Sequence, residues 1–333
     1  FHGPTMAFKD VGARFMARCL GYFNKNNNNE VTVLVATSGD TGAAVANGFL
    51  GVKNVKVVIL YPSGKVSAIQ EKQLTTHGQN ISALEVKGTF DDCQAMVKTA
   101  FLDKKLTDMM QLTSANSINV ARWLPQLFYF MFAYRRLHKK HKDLVFSVPS
   151  GNFGNVCAGM MAQQLGLPIK HFIASNNDNN VVTKYLRTAL YKPEPSVQTI
   201  SNAMDVGDPS NFIRIQELYK NNFETLKENL SSFSFSNKET KAAMLEIYNR
   251  YNYVADPHGA VGYLGCKAYL EKNPTAYCVF FETAHPTKFL DIVEAVVKKE
   301  QVLPPQIKSV MGKIKEATTI VTYEDLKHYL LNS

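Results

Sequence analysis

Six short apolar runs separated by helix-like segments constrain this chain more than any other feature. Val31–Ala36, Val55–Leu60, Ile81–Val86, Leu144–Val148, Ile169–Ala174 and Tyr277–Phe281 are β-branched or apolar through most of their length and read as strands. Helical patterns fall between and around them, at 11–23, 43–50, 69–76, 91–106, 154–165 and 290–298. In the first, Val11, Phe15, Met16, Cys19 and Leu20 recur on one side; in the fourth, Asp91 and Asp92 suit the first turn. Strands alternating with helices imply βαβ units, hence an α/β fold of open, mostly parallel sheets with flanking helices. Residues 24–29 read as a polar loop, 176–212 as loops over a site, and 213–252 as mostly helical.

At 333 residues the chain exceeds the size at which one core keeps growing, so two domains are expected. Hydrophobic content of 45% and charged content of 20% are those of a soluble globular protein. No apolar run approaches membrane-spanning length, so no membrane partner is expected. The formal charge of +9 is scattered, with small runs at 135–142 and 298–299. Basic and aromatic residues do not interleave, so these runs read as solvated helix faces and nucleic acid is not an expected partner. The positive excess would steer anionic, phosphorylated substrates. Five cysteines form no CxxC pair, which fits reduced thiols in the cytoplasm or an organelle matrix. The chain opens on Phe1, inside a motif, so no targeting signal can be judged from it.

Three stretches carry chemistry. Lys9 stands between Phe8 and Asp10, just before a helix. Partial burial or a neighbouring cation would lower its pKa and make the amine a nucleophile; the plain alternative is a surface lysine at a helix start. Ser150-Gly151-Asn152-Phe153-Gly154-Asn155 follows a strand and opens a helix. Small residues there let backbone N–H groups approach an anion at the positive end of the helix. It is neither a Walker loop nor a dinucleotide fingerprint. Thr37-Ser38-Gly39-Asp40-Thr41-Gly42 has the same local design, and its hydroxyls and amides suit a carboxylate. His258 and His285 lack partners at metal-ligand spacing and read as structural or capping residues; no metal is expected.

These stretches, with Asn202–Asp205 and Thr283-Ala284-His285-Pro286, closely resemble in order the threonine synthase family. Its members are pyridoxal-phosphate enzymes of the two-domain tryptophan-synthase β-like fold, fold type II, and the likeness runs over nearly the whole chain. The resemblance implies a large domain of residues 1–25 and 118–333, a small domain of 26–117, and a cofactor lying between them. It implies that Lys9 binds pyridoxal 5′-phosphate covalently and moves the substrate α-proton. Gly151, Asn152, Phe153, Gly154 and Asn155 would hold the phosphate, Asp40 would lie near the 3′-oxygen, and the Thr283 hydroxyl would meet the pyridine nitrogen. Thr37, Ser38 and Thr41 would bind the substrate carboxylate, and Lys65, Ser117, Asn119 and Arg122 its phosphate; an ordinary surface ion pair is the competing account of those cations. The family normally carries a further segment ahead of this motif.

The implied reaction converts O-phospho-L-homoserine and water into L-threonine and phosphate. A phosphohomoserine lyase, a serine/threonine dehydratase-like enzyme and a non-catalytic binding module of the same fold are the alternatives. The dehydratases usually have a poly-Gly phosphate loop where this chain has Ser-Gly-Asn-Phe-Gly-Asn. A monomer or homodimer is expected.

Overall fold

The computed structural model describes residues 2–26, 29–141 and 143–333. Phe1, Asn27 and Asn28 of the polar loop, and Lys142 of the basic run lie outside the described residues. Nine strands occur among the described residues: β1 (Val31–Ala36), β2 (Val55–Pro62), β3 (Ile81–Val86), β4 (Gln111–Ser114), β5 (Leu144–Pro149), β6 (His171–Asn176), β7 (Leu230–Ser234), β8 (Tyr277–Phe280) and β9 (Thr318–Ile320). They form two all-parallel sheets, ordered β4-β1-β2-β3-β9 and β7-β6-β5-β8. The chain divides accordingly into two units, residues 2–122 with 303–333, and residues 123–302.

In the first unit β1 is buried at every position, so both sheet faces need cover. Val33, Val35, Val57 and Ile59 face the helices Asp10–Phe23 and Asp40–Phe49. Alternate residues Leu34, Val58, Leu60 and Leu84 face the helices Phe90–Leu102 and Tyr323–Asn332. The two helices of the first face meet where Gly48 lies against the Ala13 backbone. Such an approach selects small residues. Ala13 meets that demand; the buried stripe of the opening helix is Gly12, Ala13, Met16 and Ala17, while Val11 and Phe15, expected inside, are exposed.

The second unit packs Leu144, Phe146, Val148 and Phe172 against the helices Leu127–Leu137 and Gly154–Gln164. The helix Pro257–Lys272 lies against the same sheet, close enough for the Ser147 hydroxyl to donate to the Gly262 carbonyl at 2.6 Å. A side chain at Gly265 would run into Ser147 and Ser175.

The observed division differs from the expected one in the placement of both chain ends. Residues 2–25 and 303–333 belong to the unit of the first sheet. β9 adds to β3 there, Lys315 Nζ lies 2.7 Å from both Glu71 and Glu85, and Lys327 pairs with Asp103 at 2.6 Å. The boundary falls at 122/123 rather than 117/118. Three edge strands, β4, β7 and β9, were not expected, nor was the helix Val181–Thr188 within the Asn-rich segment. The helix expected over 91–106 ends at Leu102, and a second begins after Asp103, whose carboxylate accepts the Lys105 N–H at 3.0 Å.

Candidate active site

In the first unit the expected residues gather around the carboxyl ends of β1 and β4 and the start of the first helix. Lys9 is half-buried at the N-cap of Asp10–Phe23. Asp10 fixes the backbone ahead of it: its carboxylate accepts the Thr5 N–H at 2.9 Å and the Thr5 hydroxyl. Gln73, buried on the helix Ala68–Thr75, donates through Nε2 to the Thr5 carbonyl at 3.2 Å. One turn earlier Gln70 donates through Nε2 to Asp40 Oδ1 at 3.0 Å. One helix thus ties down both the lysine-bearing segment and the Thr37–Gly42 turn.

That turn is built from inside. Thr37 is buried, and its Oγ1 accepts the N–H groups of Gly39 at 3.0 Å and Gly42 at 2.8 Å. Gly39 has φ 132°, which L side chains rarely adopt, and Gln70 fills the space a side chain would need. Asp40 opens the following helix and is buried. Ser38 and Thr41 are half-buried. Thr37 is buried behind the turn, whereas half-buried Ser38 and Thr41 and the helix-opening amides are the more accessible donors for a carboxylate.

The 114–122 segment joins this site through Asn116. Its Nδ2 donates to the Ala36 carbonyl at 2.6 Å, and its Oδ1 accepts the Ala36 N–H at 3.1 Å. Asn119 is turned into its own loop, donating to the Ser114 carbonyl at 3.1 Å and accepting the Ala121 N–H at 3.1 Å. Arg122 is 2% exposed and donates to the Ala115 carbonyl. Burial pulls its guanidinium down to about 10, which leaves it charged at neutral pH, with Asp10 opposing the shift. Ser117 is half-buried and Lys65 exposed. The charge of Lys65 acts on Asp92 in the first turn of Phe90–Leu102.

In the second unit the 150–155 turn follows β5 and opens the eleven-residue helix Gly154–Gln164. Its polar side chains point back into the protein. Asn152 Oδ1 accepts the Ser210 N–H at 2.6 Å and the Ser210 hydroxyl at 2.8 Å. Asn155 Nδ2 donates to the Pro149 carbonyl at 2.8 Å, and the Ser150 hydroxyl donates to the Val148 carbonyl at 2.7 Å. Phe153 adopts the left-handed conformation, φ 60°, and its ring anchors edge-on against Phe212 at 5.6 Å. Among the described residues no protein acceptor faces the N–H groups of Gly151, Phe153 and Gly154. A left-handed residue followed by a helix start makes a concave group of donors, the geometry of an anion site. This donor set fits the phosphate of pyridoxal phosphate.

Two other motif stretches lie in this unit. Ala203 and Met204 press on Gly151: a Cβ there would sit 2.7 Å from the Ala203 carbonyl oxygen and from Met204 Cα. Thr283 is half-buried and follows β8, which ends at Phe280, one residue short of the expected Phe281. The neighbouring Glu282 buries both carboxyl oxygens, and burial followed by the charge of Asp256 holds it well above the usual carboxylate range. His285 caps the turn Pro286–Phe289 by accepting the Thr287 N–H at 3.2 Å, the capping role expected of it. Among the described residues no cluster of three His, Cys, Asp or Glu side chains could hold a metal, and no helix is long and apolar enough to cross a membrane.

Residues 1–281 match the family model described as pyridoxal-phosphate dependent enzyme, and residues 259–329 match that of threonine synthase, C-terminal. The threonine synthase of Buchnera aphidicola is 48% identical over 310 residues, which is 93% of this chain and 71% of the relative. The crystal structure of threonine synthase from Escherichia coli superposes with a TM-score of 0.93 at 43% identity, covering 100% of this chain and 77% of that one. A pyridoxal-phosphate-bound threonine synthase from Brucella melitensis superposes with a TM-score of 0.90 at 34% identity, covering 99% and 76%. With its two parallel sheets and paired motif turns, the chain belongs to the threonine synthase family of pyridoxal-phosphate dependent enzymes.

Proposed function

We propose that the chain is a threonine synthase that converts O-phospho-L-homoserine and water into L-threonine and inorganic phosphate. The observation that carries this reading is the 150–155 turn. Its asparagine side chains are spent on the protein, so backbone N–H groups are left to receive a phosphate. Gly151, Asn152, Phe153, Gly154 and Asn155 would hold the cofactor phosphate and Lys9 its aldehyde carbon, with Asp40 and Thr283 at the ring substituents. Bound pyridoxal phosphate supplies an electron sink for carbon–hydrogen cleavage next to the substrate amine.

The chain's own groups do the rest. The Lys9 amine takes the substrate α-proton and later returns it. Ser38, Thr41 and the amides opening the helix Asp40–Phe49 orient the substrate carboxylate, with Thr37 holding that turn in shape. Lys65, Ser117, Asn119 and Arg122 supply positive charge and hydrogen bonds on the side of the substrate phosphate. In the net reaction the β-carbon loses a proton and gains the hydroxyl of water, the γ-carbon loses its phosphate oxygen and gains a proton, and the second proton of water leaves with the phosphate.

The test is product analysis. The purified chain, given pyridoxal phosphate and O-phospho-L-homoserine, should release phosphate and threonine in equal amounts. Oxobutyrate without threonine would replace this reading with the lyase. Failure to bind pyridoxal phosphate at all would favour the binding module. We further propose a cytoplasmic monomer or homodimer, to be checked by light scattering.

A further inference from the structure

We propose that His258 is a positioning residue for the phosphate turn: by accepting the Ala203 N–H it sets where residues 201–205 press on Gly151. The proposal rests on the reading of 150–155 as a phosphate site. His258 is 1% exposed and lies at the start of the helix Pro257–Lys272. Its Nε2 accepts the Ala203 N–H at 3.2 Å. A nitrogen that accepts is unprotonated, so the ring's proton sits on Nδ1. Nδ1 lies 3.3 Å from Oδ1 of Asp256, which is fully buried and also caps the helix by accepting the Gly259 N–H at 2.8 Å. Phe289 packs on the imidazole with ring centres 5.0 Å apart. The ring is thus held on its face by Phe289 and at Nε2 by the Ala203 N–H, with the Asp256 carboxylate near Nδ1 but outside hydrogen-bond geometry, and it presents one acceptor.

The 201–205 segment is held at its end, Asp205, and at its middle, Ala203. Asp205 accepts from Asn177 Nδ2 at 2.8 Å, Asn179 Nδ2 at 3.2 Å, the Thr199 N–H at 2.9 Å and the Thr199 hydroxyl at 2.7 Å. Ala203 is held by His258, and the Ala203 carbonyl and Met204 Cα form the surface that Gly151 meets. Gly151 opens the run of N–H groups aimed at the anion. A movement of Ala203 by a few tenths of an ångström passes to Gly151, because no slack separates them.

The experiment measures the affinity of the cofactor-free full chain for inorganic phosphate by calorimetry and for pyridoxal phosphate by fluorescence. His258→Phe keeps the ring volume and removes the acceptor; both affinities should fall about tenfold. His258→Gln places an amide oxygen near the Nε2 position, and affinity should stay within about threefold of the original. Unchanged affinity in His258→Phe, or an equal loss in both variants, overturns the proposal while leaving the phosphate reading intact. A wild-type chain that binds neither probe overturns both. Should His258→Phe fail to fold, ¹⁵N spectra of the wild-type imidazole still decide. The proposal requires the Nδ1–H tautomer, and a proton on Nε2 contradicts it.

Discussion

Gln70 and Asp40 are joined by a hydrogen bond of 3.0 Å between two buried side chains. Gln70 also accepts the Ser67 N–H through Oε1 at 3.1 Å, so its amide is oriented at both ends. The donor end must therefore face Asp40. A carboxylate at the opening of a helix is favoured by the dipole, and the glutamine supplies one of the donors that burial demands.

Gln70→Leu removes that hydrogen bond at similar side-chain volume. The expected loss is about 1–3 kcal/mol of folding stability. Urea unfolding of the two proteins measures it. A loss within error would mean that other groups already satisfy Asp40.

Lys9→Ala removes the proposed proton-transfer group and the covalent tie to the cofactor. Turnover should fall by about 10²- to 10⁴-fold or more. The cofactor-dependent visible absorbance should vanish with it. Lys9 is half-buried, so the thermal midpoint should move little. Retention of the absorption band in the variant would place the covalent bond elsewhere.

Strands built mostly from β-branched and apolar residues were legible in the sequence: β1 and β3 match the expectation residue for residue, although Ser82 and Glu85 leave β3 half-buried at two positions. β7, Leu230-Ser231-Ser232-Phe233-Ser234, and the short β4 and β9 were not, since they are edge strands and carry polar residues. In the first helix the apolar pattern gave weight to Val11 and Phe15, whereas the close approach of Gly48 selects a small residue at Ala13 and the Arg122 carbonyl leaves no room for a side chain at Gly12. The motif turns could be read because glycine and small polar residues mark them locally. Gln70, Gln73, Asn116 and Asp205 hold those turns through partners up to 80 positions away, and no local pattern distinguishes such a residue from any other glutamine, asparagine or aspartate.

Asp205 gives a pH signature. Burial raises its folded-state pKa to about 6, against the hydrogen bonds from Thr199 and Asn177, while the unfolded chain titrates at about 3.9. Between those values the folded state binds more protons than the unfolded state. Stability from this group is thus full below about pH 4 and is lost as pH rises to about 6, on the order of 3 kcal/mol in all. The difference in unfolding free energy between wild type and Asp205→Asn, followed across that range, isolates the effect from other carboxylates. A ¹³C carboxyl titration with its midpoint at about 4 or below would show that the four donors outweigh burial.

Cys93 and Cys157 are pushed up to about 12 by burial. Only the thiolate is alkylated at a useful rate, so both should resist iodoacetamide at neutral pH until the chain unfolds. Half-buried Cys278, whose thiol the hydrogen bond with Cys266 holds below its ordinary value, should be modified first. Peptide mass spectrometry before and after denaturant distinguishes the sites, and rapid modification of Cys157 in the folded chain would contradict its burial on the inner face of the helix Gly154–Gln164.

Gly151→Ala tests the packing of the phosphate turn directly. The new Cβ would lie 2.7 Å from the Ala203 carbonyl oxygen and from Met204 Cα. Both are backbone atoms and cannot swing aside as a side-chain end would, so the turn or the 201–205 segment must shift. The cost should be about 1–3 kcal/mol, divided between folding stability and affinity for inorganic phosphate. Gly312→Ala is the control. Gly312 has helical dihedrals of −81° and −6°, and a Cβ there would project into open space. That change should be neutral or stabilise by about 0.4–1 kcal/mol, since it only restricts the unfolded chain. Calorimetric phosphate titrations and urea unfolding on both variants separate a local clash from a general intolerance of added methyl groups. Equal behaviour of the two would remove Gly151 from the account of how the turn is shaped.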